Sequence, residues 1–314
     1  MLDLPHLTIE SVAGCVPANA ADNLSILTEL VGAEKAQTIV KSTGFATRRV
    51  AARGETVLDL ALPAARRALE GLAPEAFGGV VAVSFSAGDR FPAMSARLQH
   101  ALGIPTDVAA VDLSLACCGY PYGLMVAGQI ACATGRRVLL VDGDVQSAHV
   151  DASDVNTLAV MGDAATATVV APEGGCARFA FLTDGSGADV LRCGADGRIS
   201  MDGFGVFRFV AGPVAKFLAD FVAACGGRPA VFAPHQANMY MVRQLAKSLS
   251  LEDVLLTSGE MYANPGSCSV PLTLAAAGAS AAGRAMLAGF GAGLAAAAAM
   301  ATLAEGCARG VCEV

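Results

Sequence analysis

Helical and extended hydrophobic patterns alternate along almost the whole chain. Residues 57–72, VLDLALPAARRALEGL, carry apolar positions at helical spacing despite Pro63, and the apolar run GGVVAVSFS (78–86) behind them predicts a buried strand. AVDLSLA (110–116) predicts a short strand, YGLMVAGQIACATG (122–135) a helix stopped by Gly135, and RRVLLVDGD (136–144) another buried strand. The second half runs through the same order. VAKFLADFVAACGG (214–227) predicts a helix, RPAVFAPHQAN (228–238) a strand leading into a loop, VPLTLAAAGASAAG (270–283) a helix, and RAMLAGFGAG (284–293) a strand with a glycine turn. Such alternation predicts α/β layers.

Two segments match more closely. ATGRRVLLVDGD (133–144) and SAAGRAMLAGFG (280–291) each join a small-residue helix end, Gly-Arg, an apolar strand and a glycine. This points to internal duplication, with halves 1–172 and 173–314 and no low-complexity linker between them. Duplication brings the strand ends of both halves together, where ligands of α/β sheets usually sit. The stretch 285–304 is long enough to raise the question of a membrane span, but it is mostly Ala and Gly and is broken by GFGAG. A buried strand, a glycine turn and a second buried segment is the expectation.

Composition narrows the function. The 314 residues are 54% hydrophobic and 16% charged, with 35 glycines, which suits extensive buried layers. A net charge of −7 argues against nucleic acid, whose phosphates need a surplus of Lys and Arg. The ten cysteines are scattered without a CxxC pair, and the N-terminus carries Asp3 and His6 where an export signal has a basic region. Free thiols in a reducing cytoplasm are predicted.

Four segments offer chemistry. In DLSLACCGYPYG (112–123), Cys117 and Cys118 fall at a strand-to-helix junction, where a helix N-terminus stabilises a thiolate and lowers its pKa. Buried cysteines are also common small hydrophobes. APHQANMY (233–240) sets His235 and two further polar residues at the end of a strand, a pattern that serves structure as well as catalysis. YANPGSCSVPLTLA (262–275) places Asn264 before a Pro-Gly turn, which also reads as an ordinary turn and helix cap. GFGAG (289–293) lets backbone N–H groups approach a ligand.

Taken in this order, the four segments resemble the β-ketoacyl-acyl-carrier-protein synthase III group of condensing enzymes in the thiolase superfamily. ACCGYPYGL is similar to that family's nucleophile turn, PHQAN to its His loop, NPGSCSVP to its Asn segment, and GFGAG to its oxyanion turn. STGFATRRVA (42–51), FPAMSARLQHALGI (91–104) and MGDAATATVV (161–170) extend the resemblance over nearly the whole chain. It implies a five-layer αβαβα sandwich of two duplicated halves, usually a homodimer, and an acyltransferase working through an acyl-enzyme. Cys117 takes the acyl group and Cys118 packs. His235 and Asn264 stabilise the enolate left when a malonyl thioester loses CO2, and the N–H groups of Cys117 and Gly293 hold the tetrahedral oxyanion. No metal or redox cofactor is implied; the substrates are thioesters of CoA or acyl-carrier protein. Phe207, Arg208 and Asn238 match positions around the pantetheine tunnel. Arg243 and Lys247, on one helix face, match the side where an acidic carrier protein docks.

The departures concern the substrate. Family members of primary metabolism hold the CoA adenine between a Trp and an Arg; here those positions are Thr38 and Val155, and the chain has no Trp. The Arg that usually follows the His loop is Tyr240. Phe45 or Phe204 is the remaining aromatic substitute. A role in specialised metabolism is therefore one expectation. The others are a non-decarboxylating acyltransferase passing the acyl group to an O, N or carbon nucleophile, and a non-catalytic partner subunit of a heteromeric synthase. A thiolase or hydroxymethylglutaryl-CoA synthase is disfavoured, since no motif supplies their second Cys or Glu.

Overall fold

The computed structural model describes residues 1–89 and 91–314. In the first half, strands lie in the order Ala109–Leu113, Phe77–Val83, Arg137–Val145, Asp163–Ala171, Thr8–Val16, with the first two pairings parallel and the next two antiparallel. The second half repeats this pattern. Val231–Pro234 runs parallel to Gly283–Gly291, which is antiparallel to Ala295–Leu303, itself antiparallel to Cys176–Thr183. Leu255 bridges Phe232 in the place that Ala109–Leu113 takes in the first half. The two sets touch where Thr302 and Leu303 pair with Thr8 and Ile9. The terminal strands cross over: Leu2–Pro5 pairs with Cys176–Thr183, and Ala308–Glu313 with Thr8–Val16.

Helices Gly119–Thr134 and Ser269–Ala277 fill the layer between the sheets. Val57–Ala68 and Met94–Ala101 cover the outer face of the first sheet; Ala215–Cys225 and Met239–Ser248 cover that of the second. These are the five layers of the thiolase fold. The strand Arg137–Val145 shows why both faces are apolar. Its Val138 and Leu140 meet Tyr120 and Leu124 of the central layer, while Leu139 and Val141 meet Leu60 and Ala64 of the outer one. Val57–Ala68 starts on a capping box between Thr56 and Asp59 and contains Pro63 without ending there.

Several boundaries differ from the sequence pattern. The helix that starts at Val57 ends at Ala68 rather than at 72, and the strand before the cysteines stops at Leu113. A 3₁₀ turn, Ala116–Cys118, then leads directly into the helix from Gly119, three residues earlier than the pattern indicates. The Ala-rich segment 295–303 is a strand buried at every position but Thr302, although alanine favours helix, because small side chains let Gly119–Thr134 and Ala215–Cys225 approach it from opposite faces. All ten cysteines are unpaired. No helix among the described residues is long and apolar enough to cross a membrane.

Candidate active site

Cys117 lies in the 3₁₀ turn at the entrance to the first central helix. Ala116 directly before it has φ 45°, a left-handed conformation unusual for a residue with a Cβ, which aims Cys117 away from the strand. Cys118 turns the other way and hydrogen-bonds the Leu115 carbonyl at 3.1 Å. The strand Gly283–Gly291 presses against this turn. A Cβ on Gly289 would sit 2.9 Å from the Cys117 carbonyl oxygen, and one on Gly291 3.5 Å from the Cys117 Sγ. Gly291 is thus the glycine that abuts Cys117, while Gly293 stands two residues further on, in the wall of a neighbouring cavity.

The expectation of a lowered Cys117 pKa is not met in this resting site. Burial pushes the thiol up to about 12, and the charges of Cys118 and Asp144 act in the same direction. The amide of Cys117 opposes them, but the helix start cannot outweigh the loss of water around a residue only 5% exposed.

The polar residues of PHQAN divide the work. His235 enters the site, with Nδ1 2.6 Å from the Ser269 hydroxyl and its ring edge-on to Phe290 at 5.4 Å. Burial drives its pKa down to about 3, so it is a neutral imidazole. Gln236 turns back: its amide donates to the Pro234 carbonyl at 2.7 Å and its oxygen accepts from the N–H groups of Ser258 and Gly259. Asn238 caps the helix Met239–Ser248 by accepting from Met241 N–H at 2.8 Å, and also lines the site.

Asn264 follows a second left-handed alanine, Ala263, at φ 55°. Its side-chain oxygen accepts from Gly266 N–H at 3.0 Å, which orients the amide and leaves Nδ2 as the outward donor. Its backbone is pinned by Val160 and Gly162, and Gln146 Nε2 donates to its carbonyl at 2.7 Å and to that of Gly162 at 3.0 Å. Asp144 braces the other side, accepting from Phe85 N–H, from Ser84 and Ser86, and from Ser267 at 3.2 Å. Burial raises its pKa to about 6. Sequence reasoning missed Gln146 and Asp144. The one available signal was an acid and an amide at the end of the apolar run VLLVDGDVQ.

Cys117, His235 and Asn264 line one small cavity of about 80 Å³, so the structure brings together the three residues that the motifs singled out. Cys117 also borders a cavity of about 680 Å³, which shares Met161 and Leu191 with the smaller one and is walled by Phe85, His149, Thr183 and the hairpin 191–201. Phe207 and Tyr240 instead line a separate groove between helices, and Arg208 is exposed beside it. Arg243 pairs with Glu260 at 2.8 Å, and Lys247 is exposed. Thr38 lies on an exposed helix face and Val155 in a short helix. Phe45 is fully buried and cannot swing out to replace a Trp; Phe204 is 70% exposed.

Similarity to known proteins follows the same lines. Residues 111–185 match the 3-oxoacyl-[acyl-carrier-protein] synthase III family, and residues 229–303 match its C-terminal domain. The β-ketoacyl-[acyl-carrier-protein] synthase III of Shewanella oneidensis is 30% identical over 86% of this chain and 89% of its own. Among solved structures, a 3-oxoacyl-(acyl-carrier-protein) synthase from Burkholderia xenovorans superposes with a TM-score of 0.92, at 26% identity, over 100% of this chain and 98% of the other. The priming β-ketosynthase of the R1128 polyketide pathway gives 0.87 at 28% identity, over 96% and 97%. With both family regions matched and 30% identity to the Shewanella enzyme over most of both chains, this chain belongs to the 3-oxoacyl-[acyl-carrier-protein] synthase III family of acyltransferases.

Proposed function

We propose that the protein makes a β-ketoacyl product by decarboxylative Claisen condensation, the halves 1–172 and 173–314 contributing Cys117 and the His235–Asn264 pair. The carrying observation is that Cys117 borders two cavities, one lined by His235 and Asn264 and the other spacious. In the first half-reaction, Cys117 attacks an acyl thioester. The C–S bond to the donor breaks, the acyl–Sγ bond forms, and the thiol proton leaves with the released thiol. The larger cavity takes the acyl chain.

A malonyl-type thioester then occupies the smaller side. Loss of CO2 leaves its electron pair as an enolate, whose oxygen accepts from His235 Nε2–H and Asn264 Nδ2. The enolate carbon attacks the acyl carbon, the N–H groups of Cys117 and Gly293 hold the oxyanion, and the C–Sγ bond breaks. Cys117 recovers one proton from solvent. A neutral His235 suits a donor to this oxygen, which favours condensation over transfer to an O or N nucleophile.

The thioester arm enters past Asn238, with Phe207 and Arg208 beside the entrance. An acyl-carrier protein is the preferred donor, in specialised metabolism, because Thr38 and Val155 cannot sandwich adenine. Lys247 and Arg208 are the cations available to an acidic carrier. A homodimer fits the free outer edge of Ala109–Leu113 and the 86% exposed Phe91 near it; Asp112 of that strand caps the helix following Phe91. Unpaired cysteines suit a cytoplasmic setting.

The test exposes wild type, His235→Ala and Asn264→Ala to a panel of acyl-CoA and acyl-carrier thioesters, reading acylation by intact mass and release of labelled CO2 from a malonyl thioester. Both variants should still acylate but lose CO2 release by about 10²-fold or more, the usual scale for one oxyanion donor. Unchanged release in both would favour the non-decarboxylating acyltransferase.

A further inference from the structure

Ser269 is not part of the chemistry described so far, yet its hydroxyl makes the shortest contact to the imidazole. Ser269 is fully buried at the start of the second central helix, and His235 is 2% exposed. Around the Ser269 oxygen, the described residues offer two partners. Gln236 N–H points at it from 3.4 Å and can only donate. His235 Nδ1, at 2.6 Å, can donate or accept, depending on the tautomer.

The proton count separates the two tautomers. If Nδ1 carried the proton, the hydroxyl would receive two donors and its own hydrogen would have no acceptor among the described residues. If Nδ1 is bare, the hydroxyl accepts from Gln236 N–H, donates to Nδ1, and every group is satisfied. The imidazole proton must then reside on Nε2. The ring's other neighbours are Phe290, edge-on at 5.4 Å, and the Gly266 carbonyl, which acts as an acceptor for an imidazole N–H.

We propose that Ser269 is a positioning residue that selects the Nε2–H tautomer of His235 by donating its hydroxyl hydrogen to Nδ1. Through this one bond the donor pair is set before substrate arrives: Asn264 is oriented by Gly266 N–H and His235 by Ser269. With the other tautomer, His235 would turn a lone pair toward the developing enolate and repel it. The catalytic consequence rests on the condensation proposed above; the tautomer does not.

The test is nitrogen NMR of protein labelled at the histidine rings, with His235 assigned by the signal lost in His235→Ala. At neutral pH, wild type should show one-bond N–H coupling on Nε2 and none on Nδ1. Ser269→Ala should populate Nδ1–H and reduce malonyl decarboxylation by about 10²-fold, the scale for one oxyanion donor, while acylation of Cys117 stays within a few-fold. Ser269→Thr, which keeps the hydroxyl, should restore the tautomer and much of the rate. A proton on Nδ1 in wild type overturns the proposal, and that result needs neither a Ser269 variant nor any turnover. So does a Ser269→Ala protein that keeps Nε2–H, whatever its rate, because Ser269 would then act by packing alone. Absence of decarboxylation in wild type would sink the condensation reading and leave the tautomer result standing.

Discussion

At 116–119 and again at 263–269 the chain passes through a left-handed alanine and a 3₁₀ turn into a central helix, but the two junctions hold their functional side chains differently. The Cys117 sulfur makes no hydrogen bond to another described residue. At the second junction nearly every polar atom is engaged: Asn264 by Gly266, Gln146 and Gly162, Ser267 by Asp144, Ser269 by His235. The difference matches what each group would do in the proposed reaction. A nucleophile passes from thiol to thioester and back, and a strong hydrogen bond to one of those states would oppose the others. A donor pair has to be in place before charge develops, and buried bonds keep it there.

The largest expected effect tests which cysteine belongs to the first junction. Cys117→Ala should abolish the acyl mass shift, whereas Cys118→Ala should retain it, since adjacent residues at the turn point opposite ways. Loss of labelling in a folded Cys118→Ala protein would reverse the assignment.

A second effect, tenfold per pH unit, reads how isolated the thiol is. With a pKa near 12, the Cys117 thiolate fraction rises steadily with pH. Alkylation by iodoacetamide, followed at the Cys117 peptide, should therefore climb about tenfold per pH unit from 6 to 10 without a plateau. His235, neutral down to about pH 3, adds no inflection near 6.5. A plateau reached below pH 9 would mean that the helix start and the neighbouring donors outweigh burial after all.

The smallest effect contrasts two acids on one strand beneath the junctions. Asp144 accepts several hydrogen bonds, whereas both oxygens of fully buried Asp142 are without a partner among the described residues, and burial beside Asp144 drives its pKa well up. Asp142→Ala should raise stability by about 1 kcal/mol, the low end for removing an unsatisfied buried polar group. Asp144→Ala should lower it by about 2 kcal/mol, because buried donors lose their acceptor. Thermal or urea unfolding of the two variants decides; a destabilised Asp142→Ala would show that Asp142 has a partner when the protein is folded in water.

What could be read from the sequence divides along a physical line. Local pattern suffices for Phe77–Val83, Arg137–Val145 and the body of the first central helix, whose apolar runs are long, whereas the helix expected over 270–283 ends at Ala277. Pattern fails where neighbours distant in sequence decide the outcome. The run of alanines at 295–299 is a strand only because sheet partners lie on both sides of it. The thiol pKa of Cys117 depends on how far water is excluded, and the helix start alone indicates the opposite direction. Gln146 matters only because the fold brings Asn264, 118 residues away, to its amide. Gln236 and Asn238 look like site residues in PHQAN, yet much of their hydrogen bonding serves to hold the loop and the next helix.

The crossing of the chain ends has a consequence for how the halves relate. Leu2–Pro5 completes the edge of the second sheet, and Ala308–Glu313 lies against the first, so each half lends its outermost strand to the other. The active site therefore sits inside a clasp. The connection at 172–175 is only one of several bonds between the two bodies, and hinge-like separation of the halves, which would open the site by parting Cys117 from Asn264, is blocked at both ends of the chain. In the proposed reaction, substrates then reach the sulfur through the two cavities that border it, within a frame whose halves cannot part.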